Sequence, residues 1–344
     1  MRFEQPTAPH ARPLVSVPVV MRRVLYALVP AAVCHTWFFG PGLLLNFALT
    51  ATAALLAEAA VLRLRGLNTR HALRDCSALV TAALLSFALP PFVPFWIPLL
   101  GGAVAITLAK QLYGGLGKNL FNPAMVAYVF LIVSFPVEMT QWLPPRMGDI
   151  DYRQLAVGQH VNYVFRGRMP ETLDVDAVTR ATPLDLVKEG LRTGRPFSEI
   201  RNGSLFGDFG GRGWEWVANF IGLGGLYLLY VGTIRWHIPT SFLVGLLLPA
   251  TVLYVVDPSG YASPAFHLFS GGSMLGAFFI ATEPVSAAGT DRGRLIYGAG
   301  IGLLVYALRT WGTYPDGVAF SVLLMNGAVP LINRYTRPRI YGQR

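Results

Sequence analysis

The stretch "LLLNFALTATAALLAEAAVL" at residues 43–62 carries one charged side chain, Glu58, in twenty positions. A helix of about 20 residues is about 30 Å long, the thickness of a bilayer's hydrocarbon core. Lipid offers no partner to a free N–H or C=O, so such a segment spans as a helix with all its backbone bonds internal. The pattern recurs along the chain. Ten candidate spans lie at roughly 23–40, 43–62, 76–94, 95–112, 120–138, 214–233, 238–256, 266–283, 294–311 and 317–334. The third and fourth are joined through "LPPFVPFW" (89–96), where prolines break the helix and Trp96 suits a membrane–water interface. Composition agrees: 13% of residues are charged, against about 25% in a typical soluble domain. The expected fold class is an all-α integral membrane protein with about ten transmembrane helices.

The positive residues orient it. Of 28 Lys and Arg, 17 lie in the N-terminus with Arg22 and Arg23, the 63–74 loop, Lys110 and Lys118, Arg235, Arg292 and Arg294, and the C-terminal tail. With ten spans these segments share one side, and an excess of Lys and Arg marks that side as cytoplasmic. The short loops opposite hold almost none, with Arg309 at a span end, and ten more lie in the long loop 139–213. Both termini are expected in the cytoplasm and the long loop on the outer side of the membrane. The start, "MRFEQPTAPHARPLVSVPVVMRR", has no apolar run followed by a small-residue cleavage site, so no cleavable leader is expected. The net charge of +10 thus reads as topology rather than nucleic-acid binding.

One long loop after the fifth span divides the chain into a membrane half (1–138), an outer-side loop (139–213) and a second membrane half (214–344). Halves of five spans would be inverted with respect to each other. A faint echo between "NPAMVAYVFL" (122–131) and "PDGVAFSVLL" (315–324) points the same way, although two apolar helices also resemble each other by chance.

Several polar residues stand out against this background. In "YGGLGKNLFNPAM" (113–125), Asn119 and Asn122 fall one helical turn apart before Pro123. They either hydrogen-bond a flat polar ligand or satisfy backbone groups freed by the proline. "FSGGSMLGAFFIATEPVSAAGTDRGR" (269–294) has the small residues of close helix contact and ends its span at Glu283-Pro284. Glu58 is the one carboxylate deep in a predicted span, and such groups often mark ion or proton paths. Arg63, five residues on, also marks a nearby interface where Glu58 can find a cation. Asp75 and Asp316 sit at span ends, where capping is the default role. Cys34 and Cys76 form no CxxC, and His10, His35, His71, His160, His237 and His267 show no HxxxH spacing, so metal and haem chemistry have little support.

The long loop contains "DAVTRATPLDLVKEG" (176–190). Thr182-Pro183-Leu184-Asp185 reads as a helix start, with Thr at the N-cap, Pro at N1 and Asp at N3, and Gly190 as the expected end. A helix N-terminus also favours a phosphate, so a cap and a phosphoester on Thr182 Oγ are physically compatible.

Over essentially its whole length the chain resembles a family of membrane redox proteins. That family includes the RnfD component of the bacterial Rnf electron-transport complex and the NqrB component of the sodium-pumping NADH:quinone oxidoreductase. The stretches that carry the resemblance are "GGLGKNLFNPA" (114–124), "FIATEPVSAAGTDRGRLIYG" (279–298), "YPDGVAFSVLLMN" (314–326) and "YTRPRIYG" (335–342). The resemblance implies an outer-side Asp-x-x-Ser-Gly-Ala-Thr motif whose last residue carries FMN through its phosphate. Here it reads Asp176-Ala-Val-Thr179-Arg180-Ala181-Thr182, which places covalent FMN on Thr182, attached by a flavin transferase from FAD. Thr179 for Ser is a small change. Arg180 for Gly sets a bulky cation where the transferase approaches, although a guanidinium can also bind the phosphate. The sodium-pump member holds a non-covalent riboflavin as well, and its matching positions are Asn119, Asn122 and Glu283. Glu283 stands where the usual "ATDP" pattern has Asp.

The function this implies is one component of a redox-driven translocase, not catalytic alone. Its complex would couple electron transfer between NADH and ferredoxin to movement of sodium ions or protons, with Glu58 as a candidate on the ion path. There is no Gly-rich dinucleotide fold and no cluster-binding cysteine set, so NADH and ferredoxin would bind neighbouring subunits that carry flavin and iron–sulfur groups. Two other classes compete: a solute channel or secondary transporter without a redox cofactor, and a purely structural anchor. Neither needs "TRAT" at a helix start.

Overall fold

The computed structural model describes residues 16–69, 73–145, 157–167, 181–314 and 316–337. Among these the chain is helical, with isolated bridges, one of them between Phe206 and Gly211, in place of any strand. The first half comprises α1 (Val17–Phe39), α2 (Gly42–Leu64), α3 (Ser77–Ala88), α4 (Trp96–Val104, continued as a π-helical segment Ala105–Gln111) and α5 (Pro123–Ser134). Short helices α6 (Pro136–Thr140), α7 (Val157–Arg166), α8 (Pro183–Arg192) and α9 (Phe197–Arg201) follow. The second half comprises α10 (Trp214–Tyr230), α11 (His237–Val256), α12 (Pro264–Phe269), α13 (Ser273–Leu275, continued as a π-helical segment Gly276–Ile280), α14 (Asp291–Trp311) and α15 (Val318–Thr336).

Each of the ten predicted spans contains a helix, but only α1, α2 and α11 are by themselves long and apolar enough to cross a membrane. The third and fifth predicted spans shorten to α3 and α5, of 12 residues each. The eighth breaks at Ser270–Gly272. Local chemistry sets these limits. Pro90, Pro91 and Pro94 deny α3 a continuation, and Asn122-Pro123 sets a cap-and-proline start on α5. Gly271, at φ 60, turns the chain between α12 and α13.

Helix pairing follows small residues. α2 turns Asn46, Thr50, Ala54, Glu58 and Leu62 inward at four-residue spacing, while Leu44 and Leu56 face outward. α4 packs on that stripe, where a β-carbon on Gly102 would strike the Thr50 carbonyl. In the second half α11 and α14 share the most extensive packing, and a β-carbon on Gly302 would overlap the Phe242 carbonyl. Close backbone approach through small residues is how helices associate where lipid supplies no hydrophobic drive.

The segments between the halves dock on them. Leu184, Val187, Phe197, Ile200 and Phe206 form a small core with Ala262 and Phe266, and Phe197 N–H donates to the Ser259 carbonyl at 2.9 Å. α7 lies on the proline-rich turn before α4, where Phe95 N–H donates to Val164 O and Phe92 stacks on Tyr163 at 3.9 Å.

Candidate functional site

Thr182 is the N-cap of α8, as the local sequence predicts. Its Oγ1 accepts from Asp185 N–H at 3.2 Å and lies 2.6 Å from Asp185 Oδ2, to which Thr182 N–H donates at 2.9 Å. The two residues thus satisfy each other reciprocally, with Pro183 at N1. Gly190 does not end the helix. It is buried inside α8, where a side chain would collide with Ile200, and the helix closes at Thr193 with Gly194 at φ 80. Asp176, Thr179 and Arg180 lie outside the described residues.

The N-terminus of α8 forms part of the wall of a cavity of about 140 Å³. Thr182, Pro183 and Asp185 contribute one side; His35, Met125, Tyr128, Trp142 and Trp214 contribute aromatic and apolar surface; Ser270, Gly271, Gly272 and Asp316 contribute polar edge. Trp142 and Trp214 meet edge to face at 5.0 Å. His35 is 2% exposed, and both its ring nitrogens lack a partner. A mostly apolar cavity with a few convergent polar groups is the usual form of a small-molecule site.

A second cavity, of about 110 Å³, gathers Asn119, Asn122, Glu283, Lys110, Ser77 and Thr233. Asn119 Nδ2 donates to Glu283 Oε1 at 2.9 Å, and Asn122 Nδ2 donates to the Ile280 carbonyl at 3.3 Å. The structure therefore brings Glu283 to the Asn119 and Asn122 pair from 164 residues beyond Asn119. It also corrects the helical-turn geometry: positive φ at Gly114, Gly115 and Gly117 makes the approach to α5 a loop, so Asn119 precedes the helix while Asn122 caps it through Met125 N–H. Asn122 thus plays the structural part directly. Asn119 Oδ1 and Thr233 Oγ1 are buried without partners.

Glu58 is not near Arg63 in its bonding. Lys110 Nζ donates to its Oε1 at 2.6 Å and to Ser77 Oγ at 2.6 Å, and Gln111 Nε2 adds a third bond at 2.9 Å. This buried pair borders the second cavity through Lys110. A counterpart borders the first. Arg309 donates to Asp316 Oδ1 at 3.0 Å and to the His267 and Ser270 carbonyls, while Asp316 Oδ2 accepts from Gly272 N–H at 2.6 Å. Asp316 therefore does more than cap: it pins the break between α12 and α13.

Comparison with known proteins now adds to this geometry. A sequence profile described as the NQR2, RnfD, RnfE family matches residues 5–342. The chain belongs to the NQR2, RnfD, RnfE family. Among its similar relatives, a protein named as the D-type subunit of an ion-translocating oxidoreductase complex, from Aliivibrio salmonicida, is 48% identical, with 100% of this chain and 99% of that one aligned. Proteins of the same name from Aeromonas salmonicida and Vibrio cholerae are 50% and 47% identical over nearly the full length of both chains.

In this member of the NQR2, RnfD, RnfE family, sequence reasoning located the cap and the residues of the second cavity but not their surroundings. His35 is a lone histidine in an apolar helix and carries no local signal. Tyr128, Trp142 and Trp214 likewise read as ordinary membrane aromatics. Arg309 did carry a signal, since it is the one cation at the end of a span on the side otherwise poor in Lys and Arg, seven residues before Asp316.

Proposed function

We propose that the chain is the D-type membrane subunit of an ion-translocating oxidoreductase complex and carries FMN as a phosphoester on Thr182. The observation that carries this reading is the position of Thr182, a helix N-cap on the wall of an aromatic-lined cavity. The positive end of the α8 macrodipole suits a phosphate there. The Trp142, Trp214 and Tyr128 side chains suit a flat ring, and the unpartnered nitrogens of His35 offer it a polar contact. FMN bound there would supply one- and two-electron chemistry, which the protein has only to place and tune. Esterification removes the Thr182 hydroxyl proton, so Asp185 loses one bond and its carboxylate must turn from the new anion.

The second cavity suits a non-covalent riboflavin: Asn119 Oδ1 and Thr233 Oγ1 are free for a neutral, polar-edged ligand, and Asn122, Lys110 and Glu283 flank them. Ten spans in two inverted halves, both termini cytoplasmic and residues 139–213 periplasmic complete the reading. The matched pairing of α2 with α4 and α11 with α14 supports the repeat. So do Lys110 and Arg309, each buried near the C-terminal end of its half's fourth span. The complex would move sodium ions or protons, with flavin- and iron–sulfur-carrying subunits as electron partners.

The test is in-gel flavin fluorescence of the denatured protein, co-expressed with its flavin transferase. A fluorescent wild-type band that Thr182→Val abolishes is the expected result. A colourless wild type overturns the reading and favours a transporter or an anchor.

A further inference from the structure

We propose that His35 is the residue that positions and tunes the flavin ring tethered to Thr182. The inference rests on the FMN reading above and adds a named partner for the ring. His35 lies in α1, far from α8 in sequence, yet both line the same cavity. Phe39, Phe87 and Trp214 surround the imidazole at centroid distances of 4.9, 6.1 and 6.3 Å. Phe39 and Phe87 carry no hydrogen-bonding atom, the Trp214 indole N–H is not bonded to the imidazole, and both imidazole nitrogens are buried and unpartnered. Phe or Leu would fill such a pocket without that cost, and buried polar groups in native proteins almost always have a partner.

The missing partner must reach both functions of a neutral imidazole, one donor and one acceptor on the same ring. It must also enter a cavity walled by Trp142, Trp214 and Tyr128. A flat heteroaromatic ring that alternates N–H, C=O and ring-nitrogen atoms along its edge meets both demands. A flavin anchored at Thr182 brings such a ring into this cavity by covalent attachment. Donation from His35 to an oxygen or nitrogen of the ring favours the form with more electron density there, so the imidazole raises the tethered flavin's midpoint potential.

The experiment compares flavin-loaded wild type with His35→Leu and His35→Gln in detergent, together with the same His35 variants in a Thr182→Val background that carries no tethered flavin. Three readouts are taken: in-gel fluorescence after denaturation, the absorption spectrum and midpoint of the folded protein, and thermal stability. His35→Leu is expected to keep the in-gel band, lose the fine structure of the folded flavin spectrum, and shift the oxidised-to-reduced equilibrium about tenfold toward the oxidised form, about 30 mV for a two-electron couple. His35→Gln, which keeps a donor and an acceptor, is expected to restore much of the spectrum. In the Thr182→Val background His35→Leu should be as stable as the parent or more so, which separates a ligand contact from a folding role.

A folded spectrum and midpoint unchanged in His35→Leu overturn the assignment while the covalent flavin stands. A loss of stability in the flavin-free background equal to that in the loaded protein overturns it too, since the side chain would then serve packing alone. A wild type without a fluorescent band overturns the FMN reading itself.

Discussion

Lys110 Nζ sits 2.6 Å from Glu58 Oε1, and the two side chains are 3% and 2% exposed. A carboxylate in a predicted span thus meets its cation from 52 residues further along the chain, at the end of the π-helical segment that follows α4. Removing one partner leaves a buried charge alone, which typically costs about 3–5 kcal/mol, whereas replacing both with apolar groups is often neutral or better. Lys110→Met alone is therefore expected to lower the thermal midpoint in detergent sharply. Glu58→Met with Lys110→Met should recover much of the loss. Equal midpoints for the single and double variants would mean that the pair is not coupled in the folded protein.

The same pair bears on ion movement. Lys110 holds Glu58 Oε1 at 2.6 Å while Oε2 is buried without a partner, so a cation that reaches Glu58 competes with Lys110 for the carboxylate charge. Glu58→Gln keeps the size and one acceptor but removes the charge. In the purified complex reconstituted in vesicles, it should reduce ions moved per electron more than it reduces electron transfer. An unchanged ratio takes Glu58 off the path.

Asp316 joins two functions that the sequence keeps apart. Its Oδ1 accepts from Arg309 and its Oδ2 from Gly272 N–H at the break between α12 and α13. Asp316→Asn keeps an acceptor for Gly272 but leaves the buried Arg309 short of an anion. Destabilisation of a few kcal/mol is expected, with faster amide exchange centred on 270–275. Exchange that rises uniformly along the chain would show that the contact does not hold the break in particular.

What was legible in the sequence was chemistry local in the chain. Thr182, Pro183 and Asp185 occupy N-cap, N1 and N3 because each role depends on neighbours within four residues. The helical segments were legible as apolar runs, since lipid imposes one rule on every span. Long-range partners were not. Nothing near Glu58 points to Lys110, and nothing near His35 points to Thr182. Gly190 misled because glycine signals either a helix end or a close contact, and only the position of Ile200 decides between them. Asn119 misled because an apolar window runs smoothly through a loop that three glycines hold out of helical geometry. Asn119 and Asn122 stood out as polar residues before Pro123, the resemblance added Glu283 to them, and the fold brings the three to one cavity.

Thr182 carries a structural role beside the proposed attachment, and substitutions separate the two. Thr182→Ser keeps the hydroxyl and the cap, so it should retain both helix stability and in-gel fluorescence. Thr182→Val loses both, with about 1 kcal/mol expected for the cap. Thr182→Asn is the informative variant: it caps well but offers no hydroxyl for a phosphoester. It should leave α8 as protected from proteolysis as wild type while abolishing the fluorescent band. A fluorescent Thr182→Asn band would place the flavin on another residue, and Thr179 would be examined next.

His160 makes the docking of α7 sensitive to acid. The ring bonds the Pro91 carbonyl at 3.2 Å and packs edge-on to Phe92 at 5.0 Å. Burial pushes its pKa below the ordinary value of 6.5, against a smaller upward pull from the Pro91 carbonyl. The native state therefore holds His160 neutral while the undocked helix takes up a proton. Stability from this group is complete above 6.5 and is lost as pH falls from there toward the depressed folded value. Amide exchange in α7 and in the turn before α4 should accelerate between pH about 7.5 and about 5 in wild type. His160→Asn keeps a donor for Pro91 but cannot titrate, so its exchange, corrected for the intrinsic pH dependence, should stay flat over the same interval. Equal slopes in the two proteins would assign the acid sensitivity to another group.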